Sequence, residues 1–168
     1  AEAGAYPEII TEMETAEEIL DARAQEVLDM GFTTARLKAE DVLPDPSQFY
    51  IINYTDKDVY DVAHITGAVQ YTPKESFSTS AVLNTLPADG TPIIVYCHTG
   101  MKSAFVVAYL RLLGYEAYTI LYGSNSFMNS TVKENGWNTF KPEFANDFPT
   151  VESEYIAPVG GEEDGGGC

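Results

Sequence analysis

The segment from Pro92 to Leu113 constrains the fold most. Pro92-Ile93-Ile94-Val95-Tyr96 is an unbroken apolar, β-rich run. With no polar alternation it needs cover on both faces, as at the centre of a parallel sheet. Ser103 to Leu113 is nearly all apolar and reads as a buried helix, with Gly114 as its natural C′ residue. Between them lies a short polar loop, residues 97 to 102. A buried strand feeding a buried helix requires further strands beside the one and further helices on both faces of the sheet.

The remaining chain supplies them. Thr15-Ala16-Glu17-Glu18 is a capping box, in which the Thr hydroxyl and Glu carboxylate satisfy orphan N–H groups. Leu20, Ala24, Val27 and Leu28 follow at helical spacing up to Gly31, predicting an accessory helix of about four turns. A short strand at Ala35-Leu37 leads into a brief helix at Ala39-Leu43, ended by Pro44 and Pro46. Phe49-Tyr50-Ile51-Ile52 reads as a buried strand, and residues 56 to 61 as a polar, acidic stretch. His64 to Val69 feeds a third strand, Pro87-Ala88-Asp89-Gly90 is a turn, and Ala117 to Leu121 is the last strand, broken by Gly123.

The pattern predicts an α/β fold with a central parallel five-stranded sheet, helices on both faces and an extra N-terminal helix. Residues 124 to 150 read as a final helix and a wrap-back segment anchored by Trp137, Phe140 and Phe144. The organisation expected is an arm and accessory helix at 1–32, the main domain at 33–150, and an acidic, Gly-rich flexible tail at 151–168.

The chain has 168 residues, 45% of them hydrophobic, enough for one such domain and too few for two. With 26 acidic and 9 basic residues its formal charge is −17, which argues against nucleic acid or an anionic lipid surface as partner. No apolar stretch reaches the roughly 18 residues that span a bilayer. An anion site in this field has to be made locally, from backbone N–H groups and one or two cations.

Such a site is expected at residues 97 to 103. Ligands bind at the carboxyl edge of parallel strands, and a loop curling into a helix N-terminus gathers backbone N–H groups around one point. A cysteine opening that loop is expected to react as its thiolate. Gly100 permits the tight turn, and Lys102 adds a local positive charge. No His/Cys/carboxylate spacing suggests a metal site, and nothing calls for a cofactor.

Cys97-x-x-Gly100-x-Lys102-Ser103 resembles the six-residue active-site loop of the rhodanese family together with the small hydroxyl residue that follows it. Upstream, Tyr60, Ala63-His64-Ile65 and Gly67-Ala68 resemble the family's Tyr-x-x-Gly-His-Ile-Pro-Gly-Ala signature. The resemblance covers about residues 33 to 140. It departs where family members carry Asp-x-Arg at the end of the second strand, since the matching positions are Asn53 and Thr55. Ala63 and Thr66 replace the family's Gly and Pro. The resemblance assigns His64 a structural role, and His98, inside the loop, is a candidate for tuning substrate access.

What the resemblance implies is a sulfurtransferase with Cys97 as nucleophile and His98, Thr99, Gly100, Met101, Lys102 and Ser103 as the persulfide-binding loop. Its partners would be a small anionic sulfur donor such as thiosulfate, a thiophilic acceptor such as cyanide or a thiol, or a sulfur-relay protein. The alternative is a non-catalytic, protein-binding or regulatory module. Phosphatases and arsenate reductases use a related device with a longer Cys-x5-Arg loop, whereas the corresponding position here is Ser103.

Ala1-Glu2-Ala3 fits a start left by a cleaved signal peptide, so export to a periplasm or cell surface is the expected localisation. The closing Gly165-Gly166-Gly167-Cys168 resembles the start of certain bacterial C-terminal sorting signals and equally reads as a flexible remnant. Cys168 is not expected to be catalytic.

Overall fold

The computed structural model describes residues 6–77, 80–87, 89–139 and 149. Five strands form one sheet: β1 (Arg36–Leu37), β2 (Tyr50–Asn53), β3 (Val69–Gln70), β4 (Ile93–Tyr96) and β5 (Ala117–Ile120), in the order β1-β5-β4-β2-β3. Every neighbouring pair is parallel. β4 is the innermost strand, with Ile52 opposite Val95 on one side and Thr119 opposite Val95 on the other. All four of its residues are fully buried, as expected of a run without polar alternation.

The helices are α1 (Ala16–Met30), α2 (Ala39–Val42), α3 (Lys57–Val62), α4 (Met101–Leu112) and α5 (Asn129–Glu134). Two apolar cores flank the sheet. Val106, Val107 and Leu110 of α4 pack with Ile52, Ile93 and Val95 on one face. Val42 of α2 joins Ile51, Ile94, Tyr96 and Ile120 on the other, with Ile65 and Phe127 beside them. Alternate residues of β4 thereby serve opposite cores, as strand geometry dictates.

Thr15 caps α1 as its sequence predicts. The Thr15 Oγ1 accepts from Glu18 N at 3.3 Å while Thr15 N donates to the Glu18 carboxylate at 3.1 Å. The inward face differs from expectation, because Leu20 and Leu28 are 57% and 71% exposed. Arg23 turns inward instead, donating to Arg111 O at 2.6 Å and Leu112 O at 3.2 Å at the carboxyl end of α4. A cation satisfying the orphan carbonyls of a helix end outweighs one more exposed leucine.

Three further boundaries shift. The acidic stretch at 56 to 61 contains α3, braced by a Lys57–Asp61 ion pair one turn apart. Pro46 opens a 3-10 turn rather than only ending a helix. α4 begins at Met101, two residues before the expected Ser103, so Met101 and Lys102 sit in its first turn. The final helix of the 124–150 region is α5. Phe140, Phe144, the 151–168 tail and Cys168 lie outside the described residues.

Candidate active site

Cys97 follows directly on the innermost strand, 4% exposed. The chain turns at Gly100, whose φ of +87° is left-handed backbone that favours glycine. A Cβ there would lie 3.2 Å from Ile120 O. This turn lets the helix start early, so Cys97 to Gly100 form the bend, Met101 and Lys102 stand exposed on the first turn, and Ser103 is fully buried beneath it.

The loop carbonyls are tied back to the turn after β5. Cys97 O accepts from Ser124 N at 2.8 Å, and His98 O accepts from Asn125 N at 3.1 Å and Asn125 Nδ2 at 2.6 Å. In a trans peptide the N–H opposes the carbonyl, so the N–H groups of His98 and Thr99 face away from that turn. Among the described residues, the backbone N–H groups of His98, Thr99, Gly100, Lys102 and Ser103 donate to no backbone carbonyl. The first-turn amides of a helix lack intrahelical partners in any case. The result is a set of backbone donors without backbone partners on the loop that Cys97 opens, an arrangement suited to an anion.

Gly123 makes this tie possible. It has φ +56°, and a Cβ on it would fall well inside contact distance of Cys97 O, 2.7 Å from Gly100 N and 2.9 Å from the His98 carbonyl carbon. As a sequence feature it read only as a strand breaker. Its backbone contact with the loop is a tertiary fact with no local signature.

Ser103 Oγ lies 3.6 Å from Cys97 Sγ, 3.0 Å from Gly100 O and 2.7 Å from Thr119 Oγ1. A hydroxyl proton therefore stands within reach of the sulfur from the buried side.

A cavity of about 650 Å³ opens over Cys97. His98, Thr99, Met101 and Lys102 line it from the loop and α4, and Tyr54, Thr55 and Asp56 from the end of β2. Pro73 and the Gly136, Asn138 and Thr139 segment after α5 complete it. Lys102 is the one basic and Asp56 the one acidic side chain among these. The residues after β2 belong to the wall through the parallel topology, which brings the carboxyl ends of β2 and β4 together.

His98 stacks on Trp137, with ring centroids 5.6 Å apart and planes 24° apart. Asn138 Nδ2 lies 3.1 Å from His98 Nδ1. Burial holds the imidazole below its ordinary pKa, and the nearby Lys102 charge acts in the same direction while Asp56 opposes it. The ring is thus neutral at pH 7. Trp137 is an anchor as its sequence context predicts, and what it anchors is the loop histidine.

At the end of β2 a neutral network stands where the family resemblance leads one to expect Asp-x-Arg. Thr55 Oγ1 donates to Asn53 Oδ1, Asn53 Nδ2 donates to Tyr96 OH at 2.9 Å, and Ile65 N donates to the same hydroxyl at 3.1 Å. Burial pushes the Tyr96 hydroxyl up to about 12, so the network carries no charge at neutral pH. Asn53 and Thr55 are buried, and a neutral network there avoids the desolvation cost of a charged pair.

His64 lies apart from Cys97's cavity. Its Nδ1 is 2.8 Å from Tyr60 O, and its ring stacks on Tyr60 at 3.8 Å. Tyr60 OH in turn donates to Ala68 O at 2.8 Å, closing the turn around Gly67. Among the described residues no cluster of His, Cys, Asp and Glu could hold a metal ion, and no helix is long and apolar enough to cross a membrane.

The model of the rhodanese-like domain matches residues 7–129. The probable adenylyltransferase/sulfurtransferase MoeZ of two Mycobacterium tuberculosis strains is 31% identical over 93 residues. That alignment covers 55% of this chain and 23% of the relatives' length, so the chain spans under a quarter of those proteins. Among solved structures, a polysulfide-sulfur transferase homodimer from Wolinella succinogenes is similar at 16% identity and a TM-score of 0.45. It covers 70% of this chain and 90% of that one. A Rhodopseudomonas palustris protein described as of unknown function, possible tyrosine phosphatase, is similar at 15% identity and a TM-score of 0.44, covering 76% and 97%.

Proposed function

The chain belongs to the rhodanese-like domain family, and on that premise we propose that it moves sulfane sulfur through a persulfide on Cys97. The observation that supports the proposal is the tie of the Cys97 and His98 carbonyls to the turn after β5, which leaves the His98 and Thr99 amides, on the loop that Cys97 opens, facing away from that turn.

The Cys97 thiolate attacks the outer sulfur of a donor such as thiosulfate. The new S–S bond forms as the donor's S–S bond breaks, and sulfite leaves with the electron pair. The terminal sulfur of the persulfide carries the negative charge, which N–H groups from His98, Thr99, Gly100, Lys102 and Ser103 stabilise. Cyanide or a thiol then takes the outer sulfur, and the electron pair returns to Cys97. Lys102, exposed at the cavity mouth, attracts the anionic donor within an otherwise repulsive acidic surface. Neutral His98, braced by Trp137, lines the cavity without adding charge.

The test is intact mass after incubation with excess thiosulfate, comparing the protein with Cys97→Ser. The expected result is a gain of one sulfur that cyanide removes and that Cys97→Ser lacks. An unmodified mass, with the Cys97 thiol shown free beforehand, refutes thiosulfate as donor. Retention of the sulfur by Cys97→Ser refutes Cys97 as its carrier.

A further inference from the structure

Ser103 Oγ has three polar neighbours and one proton. Gly100 O and Cys97 Sγ are acceptors, at 3.0 and 3.6 Å. The third neighbour, Thr119 Oγ1 at 2.7 Å, can donate or accept. Thr119 is 5% exposed in the middle of β5, and among the described residues its hydroxyl has no other hydrogen-bond partner. If Ser103 gave its proton to Thr119, both hydroxyl protons could not be satisfied, because Thr119 has no second acceptor. The satisfied arrangement runs the other way: Thr119 donates to Ser103, and Ser103 donates toward the loop.

We propose that Thr119 is a positioning residue for sulfur discharge, holding the Ser103 hydroxyl with its proton directed at the loop and available to Cys97 Sγ. The proposal rests on the persulfide reading above and extends it to a residue on a different strand. At rest the Ser103 proton favours the nearer Gly100 O. During discharge the acceptor's electron pair bonds the outer sulfur and the S–S bond breaks. The bonding pair passes to Sγ, which becomes a thiolate. No proton is transferred. The Ser103 O–H turns from Gly100 O to the sulfur as its charge grows, and a better-stabilised leaving thiolate leaves faster. The bond arriving from Thr119 polarises Ser103 and strengthens the one it makes.

The experiment is single-turnover discharge. Protein loaded with sulfur from thiosulfate is freed of donor and mixed with cyanide, and loss of the persulfide is followed by intact mass. Thr119→Val, which keeps the shape and removes the hydroxyl, is expected to slow discharge about threefold, less than a direct hydrogen bond is worth because it acts at one remove. Thr119→Ser restores the wild-type rate, an outcome that lost packing alone would not produce. Ser103→Ala slows discharge about tenfold, the scale of a hydrogen bond to a charged group. The double variant Ser103→Ala/Thr119→Val is no slower than Ser103→Ala, because Thr119 acts through Ser103.

Additive effects in the double variant, or wild-type discharge by loaded Thr119→Val, overturn the proposal and leave the persulfide mechanism standing. A wild-type chain that takes up no sulfur overturns both. Thermal melting of each variant shows whether it folds; if Thr119→Val does not, Thr119→Ser against Thr119→Ala carries the same comparison.

Discussion

Replacing Gly123 with alanine tests whether the turn after β5 seats the Cys97-to-Ser103 loop. The added Cβ would meet three backbone atoms of that loop, on Cys97, His98 and Gly100. Backbone cannot yield as a flexible side chain does. Contacts of 2.7 and 2.9 Å have to open to ordinary van der Waals separation, and the Cys97 O contact further still, so the loop or the turn moves by about 1 Å. The left-handed φ of +56° adds about 1 kcal/mol for a residue with a side chain. Overpacking adds about 1–3 kcal/mol. The expected total is a loss of about 2–4 kcal/mol by urea denaturation. A loop displaced by that distance loads sulfur about 100-fold more slowly. Gly90→Ala is the control: its φ is +87° and its Cβ would meet nothing within 4 Å, so it bears the backbone cost alone, about 1 kcal/mol. Equal urea midpoints for the two variants, together with wild-type loading by Gly123→Ala, would show that the turn does not seat the loop.

Two further expectations follow from buried polar groups. Arg111, 8% exposed, donates to Ala117 O at 2.7 Å, Thr34 Oγ1 at 3.1 Å and Thr34 O at 2.8 Å, and its guanidinium lies 5.0 Å from the Tyr118 ring centroid. Arg111→Met strands these acceptors and is expected to cost about 3 kcal/mol in urea denaturation, while Lys, lacking the planar fork, recovers little. His98 has its folded pKa below the unfolded value, so its neutral form contributes stability that is complete above the unfolded value of about 6.5 and is lost as pH falls from there toward the folded value. NMR is expected to show the His98 ring, assigned by its loss in His98→Gln, titrating below its ordinary value, and His98→Gln is expected to flatten the stability decline in that window.

Much of the site was legible because its determinants are local. The apolar run of β4, the cysteine after it, Gly100 and the apolar helix are contiguous, and each imposes its own backbone geometry. The capping box at Thr15 is equally local and sets the start of α1. What escaped the sequence depends on partners distant along the chain. Leu20 and Leu28 promised an apolar face for α1, but the carbonyls at the end of α4 drew Arg23 inward. α3 is six residues long, too short for a periodic signal, so the sequence showed only a polar, acidic stretch. Asp56, Asn138 and Thr139 carry no motif; the pairing of β2 with β4 brings Asp56 to the cavity, and contacts of Trp137 and Asn138 with His98 bring the other two. Thr119 looked like an ordinary β-branched strand residue, because nothing local shows that its hydroxyl meets Ser103.

The tie between the Cys97 loop and the turn after β5 also orders events during synthesis. His98 and the Asn125 that fixes its carbonyl are separated by 27 residues. At ordinary elongation speeds the cysteine precedes its support by roughly 1–5 s. Throughout that interval the nascent chain carries a thiol whose surrounding peptide planes have nothing to orient them. A chain that ended before Gly123 would therefore carry the full Cys97-to-Ser103 motif without the turn that orients its carbonyls, and on the persulfide proposal the capacity to accept sulfur would arise in one step when the turn closes.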